Sequence, residues 1–163
     1  MADCASQVIV ACAVTHEENE VRHLAPMLDR CAAQAGERPA QLIADAGYWS
    51  DEKTALADET TELFIATTKA WEQRKALREK GYPRGRIPQH ATARDRMERK
   101  LLPRVGQAVY KLRSCTIEPG FGQMSRRGLS RCWLRGLQQV QAEWSLWCST
   151  HNLLKLWRAG FMP

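Results

Sequence analysis

The stretch QLIADAGYWSDEK, residues 41–53, contains a short apolar run that ends on Asp45 and is followed by a glycine turn. The run QLIA has the composition of a buried strand, and open α/β sheets bind their ligands at the carboxyl ends of strands. Asp45 is therefore a candidate ligand-binding carboxylate. After it, Ser50 is suited to cap a short helix whose first turn carries Asp51 and Glu52, since the positive end of the helix dipole favours acids.

Two further apolar runs flank this strand. QVIVACAVT, residues 7–15, and ELFIATT, residues 62–68, are apolar and rich in β-branched residues, which predicts buried strands. Between the first two strands, a helical pattern begins near Leu24, because Pro26 must lie in the first turn, and it ends at Gly36. Strands separated by helices need crossover connections, so at least one pair is parallel and the fold class is α/β.

Charge is unevenly distributed along the 163 residues. Residues 1–68 carry 4 basic and 12 acidic side chains (net −8), residues 69–104 carry 12 and 4 (net +8), and residues 105–163 carry 8 and 2 (net +6). We divide the chain accordingly into an α/β core, a basic insertion or linker, and a helical segment that bears a candidate glutamate. The basic segment itself predicts two helices around the loop GYPRGRIP. Its charge indicates either a solvated face or the binding of a polyanion.

The last third predicts a long amphipathic helix that closes near Gly160. Tryptophans on its apolar face indicate a buried core rather than a base-stacking surface, because stacking residues need exposure. On that face, His151 is expected to be a hydrogen-bonded core residue and not a ligand. The residues of the face recur at spacings of three and four and are Trp133, Leu137, Val140, Trp144, Trp147, His151 and Leu154.

Compartment and cofactor class follow from what the sequence lacks. No apolar run reaches the roughly 18 residues of a membrane helix, and the first residues lack the basic flank and cleavage site of a signal peptide. We therefore expect a cytoplasmic protein, with no membrane partner and with reduced cysteines. The six cysteines form no C-x-x-C pair, and the four histidines supply no paired spacing for structural zinc.

A second candidate carboxylate lies in VYKLRSCTIEPGFGQMSRRG, residues 109–128. Glu118 precedes Pro119, and proline favours the first position of a helix. Glu118 is therefore expected at a helix start, facing back toward the sheet. Hydroxyl and guanidinium groups around a carboxylate favour a metal and phosphate site. The side chains concerned are Tyr110, Arg113, Arg126 and Arg127.

Three segments together resemble a known family: IADAGYWSDEK, YKLRSCTIEPGFGQMSRRG and the tail WLRGLQQVQAEWSLWCSTHNLLKLW. They are similar to the C-terminal part of the catalytic domain of bacterial insertion-sequence DDE transposases, in the ribonuclease-H-like superfamily. The likeness runs from about Gln7 to Trp157 and is weaker across the basic segment. It implies a partial ribonuclease-H-like fold, a mixed sheet with flanking helices that ends in a long amphipathic helix. It also implies DNA cleavage and strand transfer, with transposon ends and target DNA as partners and assembly into homo-oligomers.

The resemblance assigns catalytic roles to the two carboxylates. Asp45 corresponds to the second and Glu118 to the third member of the family's acidic triad, which holds two Mg²⁺ or Mn²⁺ ions about 4 Å apart. The first aspartate usually lies in an earlier strand within a DG-T context, and no such match precedes residue 7. The 163 residues are thus expected to be an N-terminally incomplete domain, inactive alone and marginally stable, with exposed sheet edges.

The resemblance also assigns DNA contacts. Tyr110 and Arg113 match the Y-x2-R pattern that precedes the family's glutamate, and Arg126 and Arg127 follow it. We expect these four side chains to bind DNA. Family members carry a lysine after a six-residue gap, where this chain has Ser125, and the sequence leaves open whether Arg126 substitutes for it.

Three functions remain open at this point. The first is a fragment of a DDE transposase, which would require a divalent metal for chemistry. The second is a non-catalytic DNA-binding module derived from a transposase, in which the basic segment and the arginines bind phosphates without chemistry. Its binding would depend steeply on salt and would need no divalent metal. The third is a purely structural α/β protein in which the charge division is incidental, and it would bind neither DNA nor metal.

Overall fold

The structure, a computed structural model, describes residues 1–17, 20–50, 60–69, 71–81 and 85–161. These residues form a mixed α/β protein, which confirms the expected class. They divide into two compact units, a helical unit (Met1–Glu18, Met27–Glu37, Arg113–Pro163) and a sheet unit (Asn19–Pro26, Arg38–Leu112). The elements are α1 (Leu24–Ala35), β1 (Gln41–Ala44), β2 (Glu62–Ile65), α2 (Trp71–Lys80), α3 (Ala93–Leu101), α4 (Arg104–Arg126) and α5 (Leu137–Arg158), with short 3₁₀ turns at Glu20–His23 and Ala46–Tyr48.

The sheet unit contains the predicted parallel pair. β1 and β2 run parallel, with Gln41 opposite Glu62 and Ala44 opposite Ile65. In β2, three successive residues from Leu63 are buried, as expected for a strand covered on both faces. β2 ends at Ile65 and is therefore shorter than the predicted strand, which extends to Thr68. The helix expected after Ser50 lies at 51–59, outside the described residues.

The basic segment forms α2 and α3, as its pattern predicts. α3 begins with a capping box, in which the Thr92 hydroxyl accepts from the Asp95 N–H at 3.1 Å and the Asp95 carboxylate accepts from the Thr92 N–H at 3.0 Å. Near its end, the Lys100 ammonium lies 2.9 Å from a carboxylate oxygen of Glu62 and 4.3 Å above the ring of Phe64. The hydrogen bond from Lys100 holds the pKa of the Glu62 carboxyl below its ordinary value. These contacts fasten α3 to β2.

In the helical unit, the prediction of a strand at QVIVACAVT, residues 7–15, is wrong. Within the described residues this segment forms no regular strand, and its β-pairing is a single isolated bridge between Ile9 and Ala2. Side chains of α5 bond its backbone instead. The Asn152 amide accepts from the Ile9 N–H at 2.7 Å and donates to the Ile9 carbonyl at 2.8 Å, and Gln141 accepts from the Val14 N–H at 2.7 Å. Because helix side chains satisfy these groups, they do not require a neighbouring strand.

α5 confirms the predicted long helix but only part of its predicted face. It ends just before Gly160, whose φ of +78° is typical of a helix C-terminus. Trp144 and Trp147 are half-buried and His151 is 1% exposed, whereas Trp133 precedes the helix and is 65% exposed. Trp133 was therefore wrongly placed in the core. Neither α5 nor any other helix of the described residues has the length and apolar character needed to cross a bilayer.

Candidate functional site

Asp45 lies at the carboxyl end of β1, where the sequence predicts it. β1 ends at Ala44, and Asp45 caps the following 3₁₀ turn, with its Oδ1 accepting from the Gly47 N–H at 3.0 Å. An aspartate that bonds the backbone two residues ahead is common turn chemistry. Here it also fixes the orientation of a half-buried carboxylate at the end of a parallel strand. Such strand ends are where α/β proteins bind ligands.

Glu118 lies in the interior of α4 and not at a helix start, contrary to the prediction from the sequence. The prediction relied on Pro119, and α4 continues through this proline. The Glu118 side chain is 60% exposed, and Nη2 of Arg113 lies 3.5 Å from its Oε1. The structure thus places an accessible carboxylate on a helix surface, next to a cation that precedes it by about one turn.

The interior proline is tolerated because a distant side chain replaces the bond that it removes. Pro119 has no N–H, so the carbonyl of Cys115, four residues earlier, loses its helix partner. Nε2 of Gln7 donates to that carbonyl at 2.6 Å. A bonded carbonyl avoids the cost of an orphaned backbone group. The contact therefore helps α4 to remain helical on both sides of Glu118.

The predicted DNA-binding residues follow one another along α4 and just beyond it. Tyr110 is half-buried and lines a cavity of about 60 Å³ in the sheet unit. Arg113 pairs with Glu118. Arg126 is the last residue of α4 and is exposed, and Arg127, directly after it, is half-buried with its Nη1 atom enclosed and not hydrogen-bonded. Among the four predicted DNA-binding side chains, Arg113 is therefore the one that the structure brings into direct contact with the candidate metal ligand Glu118.

The carboxylates fit the implied metal in donor type but not in number. Asp45 and Glu118 supply oxygen ligands, which Mg²⁺ and Mn²⁺ prefer. Across the described ranges, however, no group of three or more histidine, cysteine, aspartate or glutamate side chains could hold a metal ion. A metal site built from three carboxylates is therefore not assembled by the described residues.

A polar cluster in the helical unit was not predicted from the sequence. Gln7 has a left-handed backbone with φ of +61°, its carbonyl accepts from Nε2–H of His151 at 3.1 Å, and its Oε1 accepts from Nζ of Lys155 at 2.6 Å. Burial lowers the pKa of both His151 and Lys155, and the charge of Arg127 lowers them further. The expected core histidine is thus confirmed. The spacing of His151 and Lys155 was visible in the sequence, whereas the conformation of Gln7 has no sequence signal.

These features define a class, a mixed α/β protein in which a carboxylate ends a parallel strand and basic helices follow. A family model described as a transposase DDE domain matches residues 73–157, just over half of the chain. The chain belongs to this family, which confirms the family predicted from its motifs. The match includes Glu118 and begins after Asp45. No curated protein and no solved structure matches the chain.

Proposed function

We propose that this chain is part of an insertion-sequence DDE transposase, which cleaves DNA phosphodiester bonds and transfers strands during transposition. The observation that carries the proposal is the transposase family match, which spans the glutamate motif and α5. Asp45 at the end of β1 supports it, since a strand end is the position that the family motif gives to its second aspartate. The fold that we propose with this function is a partial ribonuclease-H-like domain.

Asp45 and Glu118 are the residues that we propose as ligands of Mg²⁺ or Mn²⁺. Ions of this kind, when bound, activate the attacking oxygen and stabilise the leaving oxygen. The Gly47 N–H orients the first carboxylate, and Arg113 lies beside the second. With two of the three carboxylates that the family uses, the 163 residues are expected to be inactive by themselves.

DNA is the proposed partner. Residues 69–104 carry a net charge of +8 and residues 105–163 a net charge of +6. Cationic surfaces of this kind attract the phosphate backbone independently of base sequence. Tyr110, Arg113, Arg126 and Arg127 are the individual side chains that we propose for DNA contact.

A non-catalytic DNA-binding module is the second candidate. It is favoured by one observation, namely the net positive charge of the chain after residue 68, which can bind phosphates without a metal. Such a module would bind DNA with the same salt dependence in EDTA as in Mg²⁺. The transposase that we propose would need the divalent ion for cleavage.

The two candidates are separated by Asp45→Asn and Glu118→Gln in the full-length context that supplies the third carboxylate. We expect each variant to lower Mn²⁺-dependent nicking of transposon-end DNA by about a hundredfold or more, because each removes a metal ligand. Glu37→Gln is the matched control, since it neutralises an exposed acid that belongs to neither motif. Nicking that survives both ligand substitutions would sink the catalytic assignment.

A further inference from the structure

An exposed tryptophan lies in the loop between α4 and α5, in the helical unit. Trp133 belongs to this loop, residues 127–136, and is 65% exposed. Exposure is the condition that a base-stacking residue must meet and that a core tryptophan does not meet. Trp133 meets this condition, unlike the half-buried Trp144 and Trp147 of α5.

The backbone of Trp133 is held in position by a side chain of α5. Both carboxylate oxygens of Glu143 accept from the Trp133 N–H at 2.9 Å, and Oε2 also accepts from the Leu134 N–H at 2.9 Å. Hydrogen bonds to a charged acceptor are stronger than neutral ones. The ring is therefore presented from a fixed backbone, which lowers the entropy cost of binding a ligand on it.

A guanidinium lies over the exposed ring. Cζ of Arg131 is 4.6 Å from the centroid of the Trp133 ring, which is a cation–π contact. The guanidinium covers one face of the indole, and most of the side chain nevertheless remains accessible. Proteins bind single-stranded nucleic acids with this combination, because the aromatic ring stacks on a base and the cation attracts the backbone.

The charge of the surrounding sequence favours an anionic partner. Residues 119–142 contain four arginines and neither aspartate nor glutamate. Two of these arginines, Arg131 and Arg135, are exposed on either side of Trp133 along the loop. Tryptophan and arginine are also common at protein interfaces, but a run of cations without acids favours a phosphate backbone.

We propose that Trp133 is a stacking site for one unpaired base of DNA, and that Arg131 and Arg135 attract the phosphates that flank this base. This inference rests on the proposed function, because it takes DNA as the partner. The base must be unpaired, since the neighbours of a base in a duplex cover both of its faces. The site adds to the cationic surface of the chain a contact with a base rather than with a phosphate.

Two DNA duplexes that differ in one base test the inference in EDTA, where no metal-dependent cleavage takes place. Both carry a fluorescent dye and one bulged nucleotide, which has a thymine base in the first probe and is abasic in the second. Because the two probes have the same number of phosphates, the electrostatic part of binding cancels in the ratio of their affinities. We expect the full chain to bind the thymine probe about tenfold more tightly by anisotropy, as a single stacking contact allows.

Variants of the tryptophan locate the contact. Trp133→Ala should abolish the preference for the base, and Trp133→Phe should keep part of it, because a phenyl ring also stacks. Trp157→Ala is the matched control and should leave the preference unchanged, since it removes a tryptophan that is 61% exposed in the same unit but outside the loop. Thermal unfolding identifies any variant that has lost its fold. Trp133→Leu, which is apolar and has no ring, takes the place of Trp133→Ala if alanine disturbs folding.

The results that would overturn the inference are distinguishable. If the chain binds both probes equally with a steep salt dependence, or if Trp133→Ala keeps the preference, the stacking site is wrong and the proposed function stands. If the chain binds neither probe, the proposed function fails and the stacking site fails with it. If Trp133→Ala lowers the molar mass measured by light scattering and leaves the preference intact, the indole is a contact between copies of the chain. A preference that is lost only in the Trp133 variants without a ring supports the site.

Discussion

Gly106, in the first turn of α4, is a position where a single missing side chain decides the packing. A Cβ built there would lie 1.9 Å from the carbonyl oxygen and 2.9 Å from the carbonyl carbon of Lys100. Both are backbone atoms, which cannot rotate aside as the end of a side chain can. The close succession of α3 and α4 therefore requires glycine at this position.

We predict that Gly106→Ala lowers the free energy of unfolding by about 1–3 kcal/mol, which is the usual cost of overpacking. Gly122→Ala, in the same helix, is the matched control, since no atom lies within 4 Å of the added Cβ. There, alanine is expected to raise stability by up to about 1 kcal/mol through its better helix propensity. Urea unfolding measures both variants, and equal effects would contradict the steric argument.

Asp45 and Glu118 show how far single residues can be predicted from the sequence. The position of Asp45 was predictable because a strand, an aspartate and a glycine turn are contiguous signals. Glu118 was placed wrongly because the contact that lets α4 continue through Pro119 comes from Gln7, 108 residues away from the bonded carbonyl of Cys115. No local pattern shows such a contact.

At the scale of elements, α5 carries two stripes with the same helical spacing. The apolar stripe, of which Trp144 and His151 are members, is the pattern that predicts the helix. A polar stripe, displaced by one residue, includes Gln141, Ser145 and Asn152, and these side chains contact the segment 9–14 near the N-terminus. Because the partner of this segment is a helix side chain and not a strand, the apolar run alone predicted the wrong element.

We predict that Asn152→Ala destabilises the protein by about 2 kcal/mol, since it leaves both backbone groups of Ile9 without their partner. Asn152→Asp keeps the acceptor and loses the donor, so its effect should be smaller. Thr150→Ala serves as control, because its exposed hydroxyl bonds only the carbonyl of Leu146 in its own helix. Guanidinium unfolding compares the three variants, and a loss for Asn152→Ala no larger than that of the control would refute the role of the polar stripe.

At the scale of the whole molecule, the parts predicted best are those with local periodicity. The α/β class, the parallel pair, the helices of the basic segment and the long C-terminal helix were all predicted, and the family was recognised from contiguous motifs that the family match covers in part. The packing of the helical unit was not predicted. It depends on contacts of Gln7, Ile9 and Val14 with residues more than 100 positions away.

The central claim is that Asp45 and Glu118 are metal ligands. The measurement that tests it most directly is the broadening of backbone amide NMR signals by Mn²⁺ in the isotopically labelled chain. We predict that signals near both residues broaden at low Mn²⁺, that excess Mg²⁺ reverses the broadening, and that Asp45→Asn and Glu118→Gln weaken it. Broadening that is absent at both residues, or unchanged in both variants, would contradict the claim.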